Sequence, residues 1–272
     1  MNFICPKCRL PLETAEGGSA VCKQGHSFDR ARAGYYNLLL GVGGGTHGDN
    51  RDMVEARRAF LSAGHYRPLA DLIARLLCQY CPAGGSVLDA GCGEGYYTDI
   101  AERALYDRDG GSRVLAFDIS KDAVRATAKR NSRISLAVAG SYSMPIADGS
   151  VNAVINTFSP LALTEVVRVL AIDGIFIFAY PAEDHLFELK SAIYDTPYKN
   201  NPEDTHLSGL THLETKRLTY KMSFDTPDAI KNLFMMTPYA YRTSEQGRRR
   251  VLELKSLDCT ADFYIGIYKK EN

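Results

Sequence analysis

Val87-Leu88-Asp89-Ala90-Gly91-Cys92-Gly93-Glu94-Gly95 is the stretch on which the reading of the fold turns. A short apolar run enters a loop with three glycines, the pattern of a buried strand that turns sharply into a helix and brings bare backbone N–H groups against a ligand. The glycines follow G-x-G-x-G, whereas the dinucleotide-phosphate fingerprint follows G-x-G-x-x-G, and no phosphate-loop lysine comes after them. Glycine-rich turns also arise for purely structural reasons, so the flanking sequence has to name the ligand.

Downstream, strands and helices alternate. Ser86 to Ala90 is a first strand, and Arg113 to Asp118 is a second that ends in an acid. Ligands of open α/β sheets lie beyond the carboxyl ends of the strands, which places Asp118 to accept hydrogen bonds from ribose hydroxyls. Ser120 and Asp122 also fit the start of the next helix, so Asp118 need not cap it. Ile134 to Ala139 is a third strand. Val151 to Asn156, almost wholly apolar, is a fourth and lies at the centre of a parallel sheet. A helix from Ala162 to Leu170 and a strand from Gly174 to Tyr180 form the next unit. Further strands are expected from Leu213 to Phe224 and from Cys259 to Tyr268, the last an antiparallel hairpin partner, with helices from Pro227 to Met235 and from Ser244 to Leu254. Phe158, just after the fourth strand, either stacks on a base or packs in the core. His185 is either a donor on the ligand side or a solvated helix-end histidine. Arg248-Arg249-Arg250 is either a solvated face or a phosphate contact.

Upstream, Cys5-Pro6-Lys7-Cys8 and Cys22-Lys23-Gln24-Gly25-His26 give C-x2-C-x13-C-x3-H. Three thiolates and one imidazole on two tight turns suit a closed tetrahedral Zn2+ site, with Cys5, Cys8, Cys22 and His26 as ligands, and four protein ligands make it structural. Such an ion fixes a segment too short to own a hydrophobic core. Cys78-x2-Cys81 repeats the spacing without a second pair and reads as a helix end. Between the zinc site and the α/β series, Gly41 to Asn50 reads as a flexible linker, followed by a helix from Asp52 and another from Pro68 to Gln79. The organisation expected is a zinc-binding domain over 1–36, a linker and connecting helix over 37–67, and a ligand-binding domain over 68–272.

A chain of 272 residues with 32 basic and 32 acidic side chains neither advertises nor excludes a nucleic-acid partner, so any RNA surface must be local. No apolar stretch reaches the roughly 18 residues of a membrane span, and the N-terminus lacks a signal peptide's regions, so a cytoplasmic protein without a membrane partner is expected. The cysteines then serve as metal ligands and free thiols.

Asp89 within the strand, the G-x-G-x-G loop and the acid ending the second strand resemble class I S-adenosylmethionine methyltransferases. That likeness implies cofactor contacts from Asp89, Gly91, Gly93 and Asp118, with Ser141 after the third strand near the adenine; Ile146 stands where the class has an aromatic residue. Together with the zinc site, Phe28-Asp29, Gly34-Tyr35, Asn37-Leu38, Gly48-Asp49, Ala56-Arg57-Arg58, Gly64-His65-Tyr66, Gly95-Tyr96-Tyr97 and His185-Leu186 with Glu188-Leu189-Lys190, the chain resembles the bacterial 23S rRNA guanine-N1 methyltransferases. The resemblance implies a zinc-ribbon-like domain that helps hold an rRNA hairpin. It also implies a Rossmann-like α/β domain, mostly parallel with one antiparallel strand, that binds S-adenosylmethionine with Tyr66, Gly95, Tyr96 and His185 against it. The partner is then 23S rRNA, and a homodimer stays open. An activated sulfonium methyl needs alignment more than a covalent nucleophile, and no proton acceptor is assigned. Two other functions fit the same motifs: a small-metabolite methyltransferase with a zinc clasp, and a zinc RNA-binding protein without catalysis.

Overall fold

The computed structural model describes residues 3–41, 50–202 and 206–271; most of the expected glycine linker, 42–49, lies outside them. Three two-residue strands, β1 (Glu13–Thr14), β2 (Ala20–Val21) and β3 (Ser27–Phe28), form a small antiparallel sheet near the N-terminus. β4 (Tyr36–Asn37) and helices α1 (Arg51–Ser62) and α2 (Arg67–Tyr80) follow. The series then runs β5 (Ser86–Ala90), α3 (Tyr96–Asp109), β6 (Arg113–Asp118), α4 (Lys121–Arg130), β7 (Ser135–Val138), β8 (Val151–Thr157), α5 (Leu163–Val169), β9 (Leu170–Pro181) and α6 (Phe187–Ile193). β10 (Leu210–Phe224), α7 (Pro227–Met235), α8 (Glu245–Leu252) and β11 (Leu257–Lys270) complete it.

The large sheet has the order β10-β11-β9-β8-β5-β6-β7-β4. Strands β4 to β9 are parallel, and β11 runs antiparallel between β9 and β10. After β5 the chain builds β6 and β7 to one side and β8 and β9 to the other. The switch point therefore falls beyond the carboxyl ends of β5 and β8, where the glycine loop lies and where open α/β sheets take their ligands.

Helix boundaries follow local chemistry. The Asn50 side chain accepts the Met53 N–H and starts α1, Pro68 sits in the first turn of α2, and the Ser120 hydroxyl accepts the Ala123 N–H at the start of α4. Along the strands, successive side chains go to opposite faces. Val87, Val114, Ala116, Ile155 and Ile177 join the core beneath α1, α2 and α3, while Leu88, Ala90, Leu115, Phe117, Val154 and Phe176 join the core of the other face.

That second face is covered differently. Its core includes Val166 and Val169 of α5, and also Phe3, Leu12, Ala20 and Leu38 from the N-terminal segment. Phe3 bridges to Ile146, the Ile4 N–H reaches the Pro145 carbonyl at 2.9 Å, and β4 pairs with β7 through Tyr36↔Ala137 and Asn37↔Val138. Ile146 is thus a fully buried seat for the N-terminal segment.

The expected strands and helices are present, with shifted ends. β9 starts at Leu170, four residues before the expected Gly174, because Leu170 pairs with Val151 ahead of an irregularity that resets the register to Ala153↔Ile175. Ala171-Ile172-Asp173-Gly174 reads as a turn in sequence, and Asp173 does take a left-handed φ of 62°. β10 begins at Leu210, which pairs with Lys270. The two residues of β4 are too few to carry a periodic signal.

Candidate functional site

The glycine loop is wedged between two walls. Gly91 has φ 90°, and a Cβ there would lie 2.0 Å from the Ser159 hydroxyl oxygen; Gly95 has φ 83°, and its Cβ would lie 2.5 Å from a Thr127 methyl. Both the backbone conformation and the space therefore demand glycine. Gly91 and Cys92 donate their N–H groups to the Phe117 carbonyl at 3.0 Å, and Gly93 donates to Asp118 Oδ2 at 2.9 Å. Asp118 Oδ1 accepts the Ser120 N–H at 2.8 Å, so its carboxylate is fixed at the strand tip while Ser120 caps α4. Asp89 is buried and accepts the Thr98 hydroxyl at 2.5 Å. Burial raises its pKa to about 7, against the lowering effect of Thr98 and with the Asp118 charge adding to it.

A cavity of about 1000 Å³ opens over this loop. Tyr66, Asp89, Gly91, Gly93, Tyr96, Asp118, Ser141 and His185 all line it. Gly95 does not; it starts α3 and packs against Thr127 behind the wall. Opposite the loop the wall is aromatic. Phe158 packs between Tyr66, Tyr97, His185 and Phe263, with ring centroids 5.5 to 6.3 Å away, and its ring is within 17° of parallel to that of His185. Phe158 is 42% exposed and has a left-handed φ of 58°, which no β-carbon-bearing residue adopts without cost. It is thus held at the cavity wall and is not a core residue.

His185 is buried, which excludes the solvated helix-end alternative. Burial lowers its pKa to about 3, with Asp262 opposing the shift, so the ring is neutral. Its Nδ1 faces the Asp262 N–H at 3.3 Å and its Nε2 faces the Tyr66 hydroxyl at 3.1 Å. A backbone N–H only donates, so Nδ1 accepts and the ring proton resides on Nε2. Nε2–H therefore donates to Tyr66, and the Tyr66 O–H is left to donate elsewhere, on the cavity side.

Residues outside the expected set also belong here. Three buried side-chain polar atoms on cavity-lining residues, Glu94 Oε1, Tyr97 Oη and Thr157 Oγ1, have no hydrogen-bond partner among the described residues. Buried orphans are costly, and their clustering around one cavity is what a pocket built for a polar ligand presents. Glu94 pairs with Arg130 through its other oxygen. Only its position in the glycine loop signalled it, and Thr157 only its place at the end of the fourth strand.

In the N-terminal segment, ligand atoms of Cys5, Cys8, Cys22 and His26 all lie within 4.8 Å of one another. Cys8 Sγ to Cys22 Sγ, Cys5 Sγ to His26 Nδ1 and Cys22 Sγ to His26 Nδ1 are each 3.5 Å. A tetrahedron with Zn–S bonds of about 2.3 Å has edges of about 3.8 Å, so the four groups fit one ion with no position left open. Cys78 and Cys81 instead end α2, with their carbonyls accepting from Arg108.

A family model described as "RlmA, N-terminal", a zinc ribbon, matches residues 3–40, and one described as "Methyltransferase domain" matches residues 87–174. A Streptomyces fradiae protein named 23S rRNA (guanine(748)-N(1))-methyltransferase is 33% identical over 93% of this chain and 91% of its own length. A Bacillus subtilis protein with the provisional name 23S rRNA (guanine-N(1)-)-methyltransferase is 32% identical over 98% of this chain and 97% of its own. The chain belongs to the 23S rRNA (guanine-N1) methyltransferase family. A Micromonospora griseorubida protein with the same provisional name is 36% identical over 69% of this chain and 68% of its own. Both ligands implied by membership, S-adenosylmethionine and a structural zinc ion, fit the residues present: the orphaned polar atoms and glycine cradle suit the first, the closed Cys3His set the second.

Proposed function

We propose that the protein transfers the methyl group of S-adenosylmethionine to N1 of a guanine in 23S rRNA. The observation that carries this reading is a shared wall: Pro6, inside the Cys5–Cys8 turn, and Leu38, Leu39 and Leu40 line the same cavity as the glycine loop. A nucleotide entering the pocket therefore meets the zinc ribbon and the methyltransferase domain together, a wall that a metabolite enzyme with a remote zinc clasp has no need of.

When bound, the cofactor supplies an already activated sulfonium methyl, so proximity and alignment provide most of the rate. The glycine loop, Asp118 and the orphaned Glu94 oxygen are suited to hydroxyl and ammonium donors on the cofactor side. On the acceptor side, Phe158 with Tyr66 and Tyr97 offers ring faces on which a splayed base can stack, the way RNA loops are read. The Tyr66 O–H, released by the donation from His185, is placed to bond an oxygen in the pocket. His185 is not the proton acceptor, because Nδ1 is engaged by Asp262 and Nε2 already carries the proton. Cys92 is no nucleophile: burial pushes its thiol pKa far up. No helix among the described residues is long and apolar enough to cross a membrane, and a ribosomal substrate places the action in the cytoplasm.

Mapping reverse-transcription stops on 23S rRNA tests the reading. One guanine stop is expected in the parent strain, absent from the deletion strain, and restored when purified protein and S-adenosylmethionine are added to the deletion strain's rRNA. An unchanged stop pattern overturns it.

A further inference from the structure

α4 carries Lys121, Arg125 and Lys129 four residues apart, so the three cations stand in one row on the helix at intervals of about 6 Å. All three are exposed. Facing them across a shallow groove is the turn between β3 and β4, with Ala31, Arg32 and Ala33 above Tyr35. The lining thus has four cations, three small or aromatic residues and no carboxylate.

Composition does not force this. The chain has zero net charge, and several arginines elsewhere are matched with acids: Arg108 with Asp109, Arg133 with Glu102, Arg168 with Glu165, Arg217 with Asp262. Arg250 of the basic run on α8 is likewise taken, by Asp195 and by the Ala192 and Ile193 carbonyls. Of the groove's cations, among the described residues, only Arg125 makes an ion pair, with Asp122 at 3.6 Å and both side chains about half exposed. Among the described residues, Arg32, Lys121 and Lys129 make no ion pair. Like charges this close repel through a distance comparable to the Debye length, and a polyanion along the row relieves that.

α4 runs alongside the pocket: Asp118 and Ile119, just before its first residue, line the pocket, and Thr127 and Arg130 near its end bond the pocket-lining Gly93 and Glu94. The opposite bank belongs to the zinc ribbon. A straight row with a concave second bank suits a strand of successive phosphates better than a single anion, which needs convergent donors, or a membrane, which needs a flat face with apolar anchors.

We propose that this groove, beside the pocket, holds the phosphodiester backbone of the rRNA substrate outside the target nucleotide. The proposal rests on the rRNA reading above. It assigns α4 and the Arg32 turn a positioning role that joins the two domains through the substrate.

The test uses full-length, zinc-loaded protein and 23S rRNA from the deletion strain. It compares wild type with K121A/R125A/K129A, with R32A, and with a control, K231A/K255A, that removes exposed cations elsewhere. For the triple variant, the slope of log affinity against log salt should fall by about 2 to 3, since each phosphate contact contributes about 0.7 to 0.9. The KM for rRNA should rise at least about tenfold, with kcat at saturating rRNA and the S-adenosylmethionine Kd from calorimetry unchanged. R32A should move in the same direction by a smaller step, and the control should behave as wild type. A triple variant with wild-type slope and KM overturns the groove alone. Equal loss in the control also overturns it, because the effect is then one of overall charge. Polyglutamate displacing the rRNA from wild type but not from the triple variant reassigns the groove to acidic protein and overturns the RNA assignment. If wild type neither binds nor methylates this rRNA, the functional reading falls and the groove falls with it.

Discussion

Tyr66 accepts a hydrogen bond from His185 Nε2–H, which leaves its own O–H able to donate to a ligand in the cavity it lines. Tyr66→Phe removes that donor and leaves the ring in place against Phe60 and Phe263 at centroid distances of 4.7 and 5.0 Å. The expected result is a kcat/KM for methylation lower by about 10- to 100-fold, together with a lower melting temperature, because the buried Nε2–H of His185 loses its acceptor. An unchanged kcat/KM would remove Tyr66 from the machinery. Phe158 allows a second test, because strain and stacking can be separated. Phe158→Ala and Phe158→Gly both delete the ring and should both lose most activity. The glycine variant should nevertheless be more stable in chemical denaturation by about 1 kcal/mol, since only it is at ease at φ 58°; equal stability would show that the left-handed turn stores nothing. The likeness named Tyr66 and His185, and the sequence flagged Phe158, but not how they meet. Tyr66 and His185 lie 119 residues apart, and the direction of the hydrogen bond between them depends on a third residue, Asp262, a further 77 away.

At the scale of elements the sequence was most informative where one local rule sets the outcome. Strand, glycine loop and helix at 86–109 are contiguous, and each glycine there answers a local demand. Gly91→Ala should therefore raise the S-adenosylmethionine Kd by more than about tenfold, and Gly91→Ala with Ser159→Gly should not restore it, because the space is relieved but φ 90° is not. Recovery in the double variant would make crowding the sole reason for glycine. α6 is tied to β10 and β11 by charge. Glu188 accepts from Lys221 Nζ at 2.7 Å and from both the N–H and the hydroxyl of Thr260. Burial alone would raise its pKa, yet these bonds outweigh it and bring it to about 2. A carboxylate depressed on folding stabilises above its unfolded pKa, about 4.3, and loses that contribution as pH falls through about 2. Glu188→Gln should thus cost about 1 kcal/mol at pH 7, after discounting for solvent at this partly exposed pair, and the gap from wild type should close between pH 4 and pH 2. A gap independent of pH would mean that shape, not charge, holds α6. β4 marks the opposite limit, since two residues become a sheet edge only through β7, a hundred positions on.

Taken whole, the molecule closes one face of its sheet with a metal-bound segment. α5 has seven residues and cannot cover that face alone. Phe3, Leu12 and Leu38, each no more than 3% exposed, complete the cover over Leu115, Phe117 and Ala137. The segment itself has only two-residue strands, so its shape rests on the Cys5, Cys8, Cys22 and His26 cluster. A structural zinc ion contributes about 10 to 16 kcal/mol to folding of small zinc modules, comparable to the whole stability of a typical domain. Removing it should therefore uncover the sheet as well as unravel the segment. Chelation at neutral pH, or Cys22→Ser, is expected to release one zinc per chain, lower the melting temperature by about 10 °C or more, and raise binding of a hydrophobic dye as the Leu115, Phe117 and Ala137 face opens. Affinity for rRNA should fall together with that for S-adenosylmethionine, because Pro6 and Leu38 to Leu40 line the same cavity as the glycine loop. If the metal-free protein, checked by elemental analysis, keeps its melting temperature and its cofactor affinity, the zinc ribbon is an appendage and not the second layer of the core.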